Sequence, residues 1–211
     1  MREYKIEINN LTKNFGRRLI FKGIDRVYDR PGIYGISGPN GSGKSTIVKI
    51  FCGILSPNSG TITHHSGASK IESNVWYRHI GFVSPYLVLY DEFTAEENIA
   101  FFSAIREINF DAGRSDFLFE KFGIIDRKND LVKTYSSGMK QRLKFIGALY
   151  HNPDVLIFDE PTSNLDIAGK ETVYNVIKEL SKEKIVFLAS NDREDIDLCS
   201  EVLDLNLYKS K

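Results

Sequence analysis

The segment GPNGSGKST, residues 38–46, has the residue types of a phosphate-binding loop. Its glycines let the backbone curl so that several N–H groups point inward, and a following helix adds its positive end, which together bind an anion. Lys44 is then placed to reach the β- and γ-phosphates of a nucleotide, and the Ser45 hydroxyl to bind Mg²⁺. The candidate nucleotide-binding residues here are Gly38, Pro39, Asn40, Gly41, Ser42, Gly43, Lys44, Ser45 and Thr46.

An acidic pair ends the apolar run VLIFDEP, residues 155–161. Asp159, at the end of a buried strand, can hold magnesium through water, and Glu160 is placed to orient or deprotonate an attacking water. Such a pair can also be only a helix N-cap or a solvated turn. Beside a phosphate loop it favours hydrolysis of the nucleotide, because binding alone does not need a general base.

A second anion site is indicated by YSSGMKQR, residues 135–142. Ser136 offers a hydroxyl and Gly138 a backbone N–H, both near a helix N-terminus whose dipole favours phosphate. The alternative is an ordinary serine N-cap on the following helix. A chain that already has a phosphate loop has no evident use for a second such site within one copy.

Strand-like and helical patterns alternate along the chain, which predicts a parallel sheet with both faces covered. The predicted elements, in chain order, are a β-rich opening (residues 4–8 and 20–38), a helix after Gly43 that continues until SPNSG, strands in GTIT and HIGFV, a Phe-rich helical segment (94–132), helices at about 138–151 and 167–181, and buried strands in VLIFDEP and IVFLAS. The fold class is therefore α/β.

Two groups of side chains leave alternatives open. His64 and His65 have no third ligand near in sequence, so we predict a solvated turn rather than a metal site. The aromatic side chains of the helical segment either fill a small core or face a partner's helix; they are Phe101, Phe102, Phe117, Phe119 and Phe122.

Composition excludes some classes of function. The 28 basic residues of this 211-residue chain balance 28 acidic ones, so net charge offers no case for a nucleic-acid partner. The longest apolar runs fall far short of the roughly 18 residues that cross a bilayer, and the charged opening MREYKIE is not a signal peptide. Cys52 and Cys199 lie in apolar segments, which is typical of small core residues in a reducing cytosol.

These motifs, in this order, resemble the nucleotide-binding domain of ATP-binding cassette (ABC) transporters over essentially the whole chain. Phe15 falls where that family stacks an aromatic ring on adenine, YSSGMKQR matches its signature motif, and SNLD, residues 163–166, matches its dimer-contact loop. The resemblance implies a P-loop NTPase fold, an ABC-type ATPase core with N-terminal antiparallel β strands and a helical subdomain. It implies one domain, residues 1–211, in which 1–93 and 152–211 form a RecA-like core with a β subdomain and about 94–151 form the helical, signature-bearing subdomain.

The resemblance also implies how such a chain works. Two ATPase subunits, as a homodimer or with a paralogue, associate head to tail, so that Ser136, Ser137 and Gly138 of one close on the γ-phosphate held by the other. ATP and Mg²⁺ are the expected cofactors, and transmembrane permease subunits of a bacterial exporter are the expected partners; no nucleic acid is expected. The expected location is cytoplasmic, peripheral on the cytoplasmic face of the inner membrane. The cargo is chosen by the membrane subunits.

Three positions depart from the family's pattern. Pro85 stands where a glutamine usually follows IGFVS, and proline has no amide side chain to offer. Asn191 stands where a histidine contacts the γ-phosphate; it can donate a hydrogen bond but carries no charge. Ser137 replaces the first of two glycines. We therefore expect slow ATP hydrolysis, with Glu160 and Asn191 as catalytic residues; the alternative is a hydrolysis-impaired, nucleotide-gated module paired with another cassette. The alternative for this position is that Asn191, Ser190 or Asp192 merely caps the helix that begins near Arg193.

Overall fold

The computed structural model describes residues 3–209, and within them nine strands form two sheets. The strands are β1 (Tyr4–Phe15), β2 (Arg18–Tyr28), β3 (Gly32–Ser37), β4 (Ser59–Ser66), β5 (Ser69–Ile71), β6 (Ile80–Val83), β7 (Val155–Asp159), β8 (Ile185–Ala189) and β9 (Glu201–Asp204). A four-stranded antiparallel sheet has the order β2-β1-β4-β5, and a five-stranded parallel sheet has the order β6-β7-β8-β3-β9. The predicted α/β class with N-terminal antiparallel strands is confirmed.

The helices are α1 (Lys44–Phe51), α2 (Ala95–Ile105), α3 (Ala112–Lys121), α4 (Ser137–Leu149), α5 (Ile167–Leu180) and α6 (Arg193–Ile196). Helix α1 is shorter than its apolar pattern predicts. Gly53 adopts a left-handed backbone conformation, with φ 73°, just beyond the helix, which is a common way for a helix to end. Ile54 consequently lies outside the helix and is exposed.

Strand β7 is buried on both faces, as its apolar run predicts. Leu156 and Phe158 belong to one hydrophobic core, which includes residues of α2, α3, α4 and α5. Val155 and Ile157 belong to a second core, which includes residues of β1, β2 and α1. The central strands therefore separate two apolar layers and are held from both sides.

The parallel register brings three loops together at one edge of the sheet. Strand β8 lies between β7 and β3, with Ala189 paired to both Asp159 and Ile36. All three strands run in the same direction, so the segments that follow their carboxyl ends meet at this edge. These segments are the phosphate loop after β3, Glu160 after β7 and Asn191 after β8.

Some aromatic side chains of the Phe-rich helical segment fill a core, and others are exposed. Phe119 and Phe122 are fully buried, and Phe122 stacks on Phe145 of α4 with ring centroids 5.7 Å apart. Phe117 is exposed, and Phe101 packs edge-on against Tyr90, outside the main core. The segment thus has its own apolar contacts while it leaves some aromatic surface to solvent.

The solvated turn predicted at His64 and His65 is wrong, because both residues lie within β4. Strand β4 pairs with β1 through this region, with His64 opposite Ile6. The His64 side chain is buried, its Nδ1 lies 2.8 Å from the Tyr4 hydroxyl, and its ring packs at a tilt against Trp76, with ring centroids 4.0 Å apart. The burial of His64 could not be predicted from neighbouring residues, because its contacts come from β1, and Tyr4 lies sixty positions away in the chain.

Across residues 3–209, none of the helices combines the length and apolar character needed to cross a bilayer. Cys52 and Cys199 are half-buried and pack against the edges of the two cores, in keeping with their predicted role as small core residues.

Candidate functional site

The phosphate loop joins β3 to α1 in a conformation that requires glycine. Gly43 has φ 111°, and a Cβ atom there would lie 2.4 Å from Cγ2 of Ile20. Gly38 has φ 148°, and its Cβ would lie 2.6 Å from the Ser42 hydroxyl. A side chain at either position would both strain the backbone and collide with a neighbour. The loop is therefore a compact backbone turn that leads directly into the N-terminus of α1.

Lys44 is buried at the start of α1, with only 6% of its surface exposed. Among the described residues it makes one hydrogen bond, from Nζ to the carbonyl oxygen of Gly38 at 2.9 Å. An ammonium has three donors, so two stay available to an anion. Burial of a cation is costly unless an anion is paired with it, and a phosphate group would provide that partner.

Asp159 lies at the end of β7, with 1% of its surface exposed. Burial raises the pKa of its carboxyl, an effect that the nearby Ser45 hydroxyl opposes. Its Oδ1 atom has no hydrogen-bond partner within residues 3–209. A buried carboxylate oxygen without a partner, beside a hydroxyl oxygen, fits the oxygen ligands that Mg²⁺ prefers. Ser45 and Asp159 would hold such an ion, which would neutralise charge on the nucleotide phosphates.

Glu160 follows β7 in an unusual backbone conformation. Its φ is 51°, in the left-handed region that non-glycine residues seldom adopt. Its N–H donates to the carbonyl oxygen of Ala189, at 2.8 Å, on the neighbouring strand. Strained residues of this kind cluster at functional sites, where the surrounding structure fixes a side chain in one direction.

A cleft of about 630 Å³ contains most of these groups. Phe15 lies on its wall and the residue is 51% exposed, which leaves aromatic surface available for stacking on a base. The residues that line the cleft are Phe15, Arg18, Ile20, Asn40, Gly41, Gly43, Lys44, Ser45, Thr46, Pro85, Tyr86, Asp159, Glu160, Ser163 and Asn164. The phosphate loop, the acidic pair and Phe15, which are far apart in sequence, are thus brought to one place.

Asn191 is directed to the phosphate loop. Its Nδ2 donates to Oδ1 of Asn40 at 3.1 Å. The cap of α6 is Asp192, whose side chain accepts from the Glu194 N–H at 3.0 Å. Asp192 therefore caps the helix, and Asn191 remains a polar donor beside the phosphate loop.

The segment at Pro85 is held by a residue that sequence reasoning missed. Lys144, on α4, donates from Nζ to the carbonyl oxygens of Ser84 at 3.1 Å and Pro85 at 3.0 Å. Burial and the neighbouring Lys140 lower the pKa of Lys144. The signature helix is thus connected to the wall of the nucleotide cleft although no glutamine is present at position 85.

Arg18 was also missed, and a hairpin prediction would have found it. It lies opposite Phe15 in the β1–β2 register. Its Nη2 is 3.4 Å from the carbonyl oxygen of Gly41, so it adds a cation beside the phosphate loop.

The signature residues lie elsewhere. Ser136 and Ser137 are exposed, and the Ser136 hydroxyl accepts from the Met139 N–H at 3.2 Å as the N-cap of α4. In the part of the chain that the structure describes, Ser136, Ser137 and Gly138 do not line the cleft of the phosphate loop. Within one copy the structure brings the first anion site together and leaves the second one apart from it.

The chain was compared with known proteins. The family described as "ABC transporter" matches residues 22–163. The ABC transporter ATP-binding protein YdbJ of Bacillus subtilis is 35% identical over 206 residues, which cover 96% of this chain and 67% of YdbJ. The linearmycin resistance ATP-binding protein LnrL of the same organism is 30% identical over 201 residues, which cover 93% of this chain and 65% of LnrL. The chain therefore spans about two thirds of the length of both relatives.

A solved structure supports the fold. An ABC transporter ATP-binding protein from Pyrococcus furiosus superimposes with a TM-score of 0.84 and covers 98% of this chain and 100% of that chain, at 20% sequence identity. At this identity the likeness concerns the fold alone, whereas the family match rests on the sequence. The chain belongs to the ABC transporter family, as one of its ATP-binding ATPase domains.

Proposed function

We propose that this chain binds and hydrolyses ATP to power an ABC transporter of the exporter type, through ATP-driven head-to-tail dimerisation. The observation that carries the proposal is the exposed helix start at Ser136 and Ser137, which lies outside the cleft formed by the phosphate loop of the same copy. A hydroxyl, a glycine N–H and a helix dipole at one exposed point suit a phosphate supplied by another molecule.

The second copy supplies that phosphate in this proposal. Gly138 lies against the dimer-contact loop, since a Cβ at this position would be 3.4 Å from the carbonyl oxygen of Asn164. Asn164 itself lines the nucleotide cleft. The loop of residues 163–166 therefore adjoins both anion sites and is suited to connect them across a dimer interface.

Each site residue then has a role in hydrolysis. Lys44 and the loop N–H groups bind the phosphates, and Phe15 stacks on the adenine. Glu160 orients the attacking water and takes its proton, while Asn191 donates a hydrogen bond near the γ-phosphate. Residues 94–151, as the helical subdomain, place the signature helix toward the partner's nucleotide.

The proposed membrane partner docks beside Pro85. A second cavity, of about 280 Å³, lies between the Pro85 segment and α4. Val88 lines it and is largely exposed, and Tyr86 beside it is exposed as well. These apolar side chains suit a permease loop, which would hold the chain at the cytoplasmic face of the membrane. The exporter assignment is supported by relatives such as LnrL, named for linearmycin resistance.

Pro85 and Asn191 favour a second candidate, a nucleotide-gated module that binds ATP and dimerises but scarcely hydrolyses it. Proline at position 85 has no side-chain donor, and asparagine at 191 carries no charge. Such a module would act with a more complete cassette. The signature residues of this chain would then complete the nucleotide-binding site of that partner.

The test is the steady-state rate of ATP hydrolysis by the purified chain with Mg²⁺, beside a Glu160→Gln variant, with the molecular size of each measured with and without ATP. We expect turnover in the wild type, a loss of about 10² to 10⁴ in the rate of the variant because its general base is removed, and an ATP-dependent dimer that the variant retains.

The outcomes separate the candidates. No turnover, with both proteins forming dimers on ATP alike, supports the gated module. Turnover by a protein that stays monomeric at all ATP concentrations contradicts the head-to-tail proposal.

A further inference from the structure

Asp195, on α6, is a buried carboxylate with 1% of its surface exposed. Three hydroxyl groups donate to it: Ser190 Oγ at 2.6 Å, Thr162 Oγ1 at 3.2 Å and Tyr174 Oη at 2.9 Å. We call these four residues the Asp195 cluster. Burial, followed by the hydrogen bond to Asp195, raises the pKa of the Tyr174 phenol, so it stays protonated as a donor.

Two donors of the Asp195 cluster lie next to the candidate catalytic residues in the chain. Thr162 follows Glu160 by two positions, and Ser190 directly precedes Asn191. Tyr174 differs, because it belongs to α5 and to neither loop. The cluster therefore connects the loop after β7 with the loop after β8 and anchors both to the helical layer.

The loop after β7 needs such an anchor. Glu160 has φ 51° and Asn164 has φ 62°, both in the left-handed region. Strained residues persist only where the surrounding structure fixes them in more than one way. Thr162 lies midway between the two, and its buried hydroxyl is held by Asp195. The hydrogen bond from the Glu160 N–H to Ala189 supplies a second, backbone restraint between the start of this loop and the end of β8.

We propose that Asp195 is a positioning residue that holds Glu160 and Asn191 in a fixed relation during ATP hydrolysis. The inference rests on the proposed function for the roles of those two residues. A carboxylate suits this task because it only accepts, so three hydroxyls can all donate to one group. Asp195 needs no contact with the nucleotide, because it acts through the two loops that it connects.

A matched pair of variants tests the proposal. Thr162→Val and Tyr174→Phe each remove one hydroxyl that donates to the same oxygen, Oδ1 of Asp195. Only the first releases the loop of Glu160. We expect kcat to fall about tenfold in Thr162→Val, equivalent to about 1.4 kcal/mol, with KM for ATP unchanged. Thr162→Ser, which restores the hydroxyl, should recover kcat, and Tyr174→Phe should stay within about twofold of the wild type.

A second measurement does not depend on turnover. Amide hydrogen exchange of residues 160–164 should be faster in Thr162→Val than in the wild type and unchanged in Tyr174→Phe. If the wild type does not hydrolyse ATP, the proposed function fails while the exchange comparison still decides whether Asp195 positions the loop. Equal effects of the two variants on exchange, or no effect of Thr162→Val on exchange and kcat, would overturn the inference.

Discussion

Replacing Asn191 with histidine should accelerate ATP hydrolysis. Asn191 is exposed, so a larger ring can be accommodated, and its amide already reaches the phosphate loop through Asn40 at 3.1 Å. A histidine at this position keeps a donor and, when protonated, adds a positive charge beside the γ-phosphate, whose oxygens carry negative charge in the transition state. The variant Asn191→His therefore restores the group that we expect the wild type to lack.

The size of the effect follows from the exposure of the site. Two unit charges about 4 Å apart interact by about 1 kcal/mol in water and about 4 kcal/mol near a protein surface. Loss of the hydrogen bond to Asn40 costs about 0.5 to 1.5 kcal/mol and opposes this gain. With the value for a protein surface, about 2.5 to 3.5 kcal/mol remains, which corresponds to an acceleration of about 60- to 300-fold in kcat at about 1.4 kcal/mol for each factor of ten.

The assay is steady-state hydrolysis at saturating ATP and Mg²⁺ over a range of pH, with Asn191→Ala as the control that lacks any donor. Because an ordinary histidine titrates near pH ~6.5, the ratio of variant to wild-type rate should increase as the pH falls through that value. The alanine control should be slower than the wild type. A histidine variant with an unchanged or lower rate, in a protein that still dimerises with ATP, would refute the assigned role of Asn191.

Two further predictions concern the loop and the core. Gly43→Ala places a Cβ 2.4 Å from Ile20 Cγ2 at a residue with φ 111°. We therefore expect a loss of about 1 to 3 kcal/mol in stability and weaker ATP binding, measured by thermal unfolding and nucleotide titration. An unchanged Tm and affinity would contradict the steric argument. Burial lowers the pKa of His64 to about 3 and of His151 to about 4. In the unfolded chain histidine has a pKa of ~6.5, so below that pH the unfolded chain binds more protons than the folded one. The contribution of each histidine to the free energy of unfolding is therefore full above that pH and falls as the pH decreases, by up to about 1.4 kcal/mol per pH unit. Urea midpoints at pH 7.5 and 5 check this, and a His64→Gln variant should show the shallower dependence.

The sequence predicted those parts of the site whose chemistry is local. The glycine spacing of residues 38–46 requires a curled backbone whatever surrounds it, and the apolar run before Asp159 requires a strand buried on both faces. Helix α4 follows equally from neighbouring residues, and so does its N-cap at Ser136, which the sequence offers as the alternative to an anion site. These predictions agree with the structure because the residues that determine each feature lie within a few positions of one another.

Features that depend on distant pairing could not be predicted. His64 is buried because β1 runs beside it, and Lys144 contacts Pro85 because α4 packs along the cleft wall. In the sequence, Asp195 is one of two acids in RED, yet in the structure it accepts hydrogen bonds from hydroxyls of three other segments.

By itself, therefore, the sequence determined which groups could bind phosphate, hold magnesium or activate water, since residue type and local spacing decide that chemistry. The tertiary structure alone decided which of them share one cleft. The parallel register of β3, β7 and β8 places their carboxyl ends together, and the packing of α4 leaves Ser136 and Ser137 exposed and outside that cleft. Which groups meet depends on strand order and helix packing, because these are set by contacts between residues that the chain itself keeps far apart.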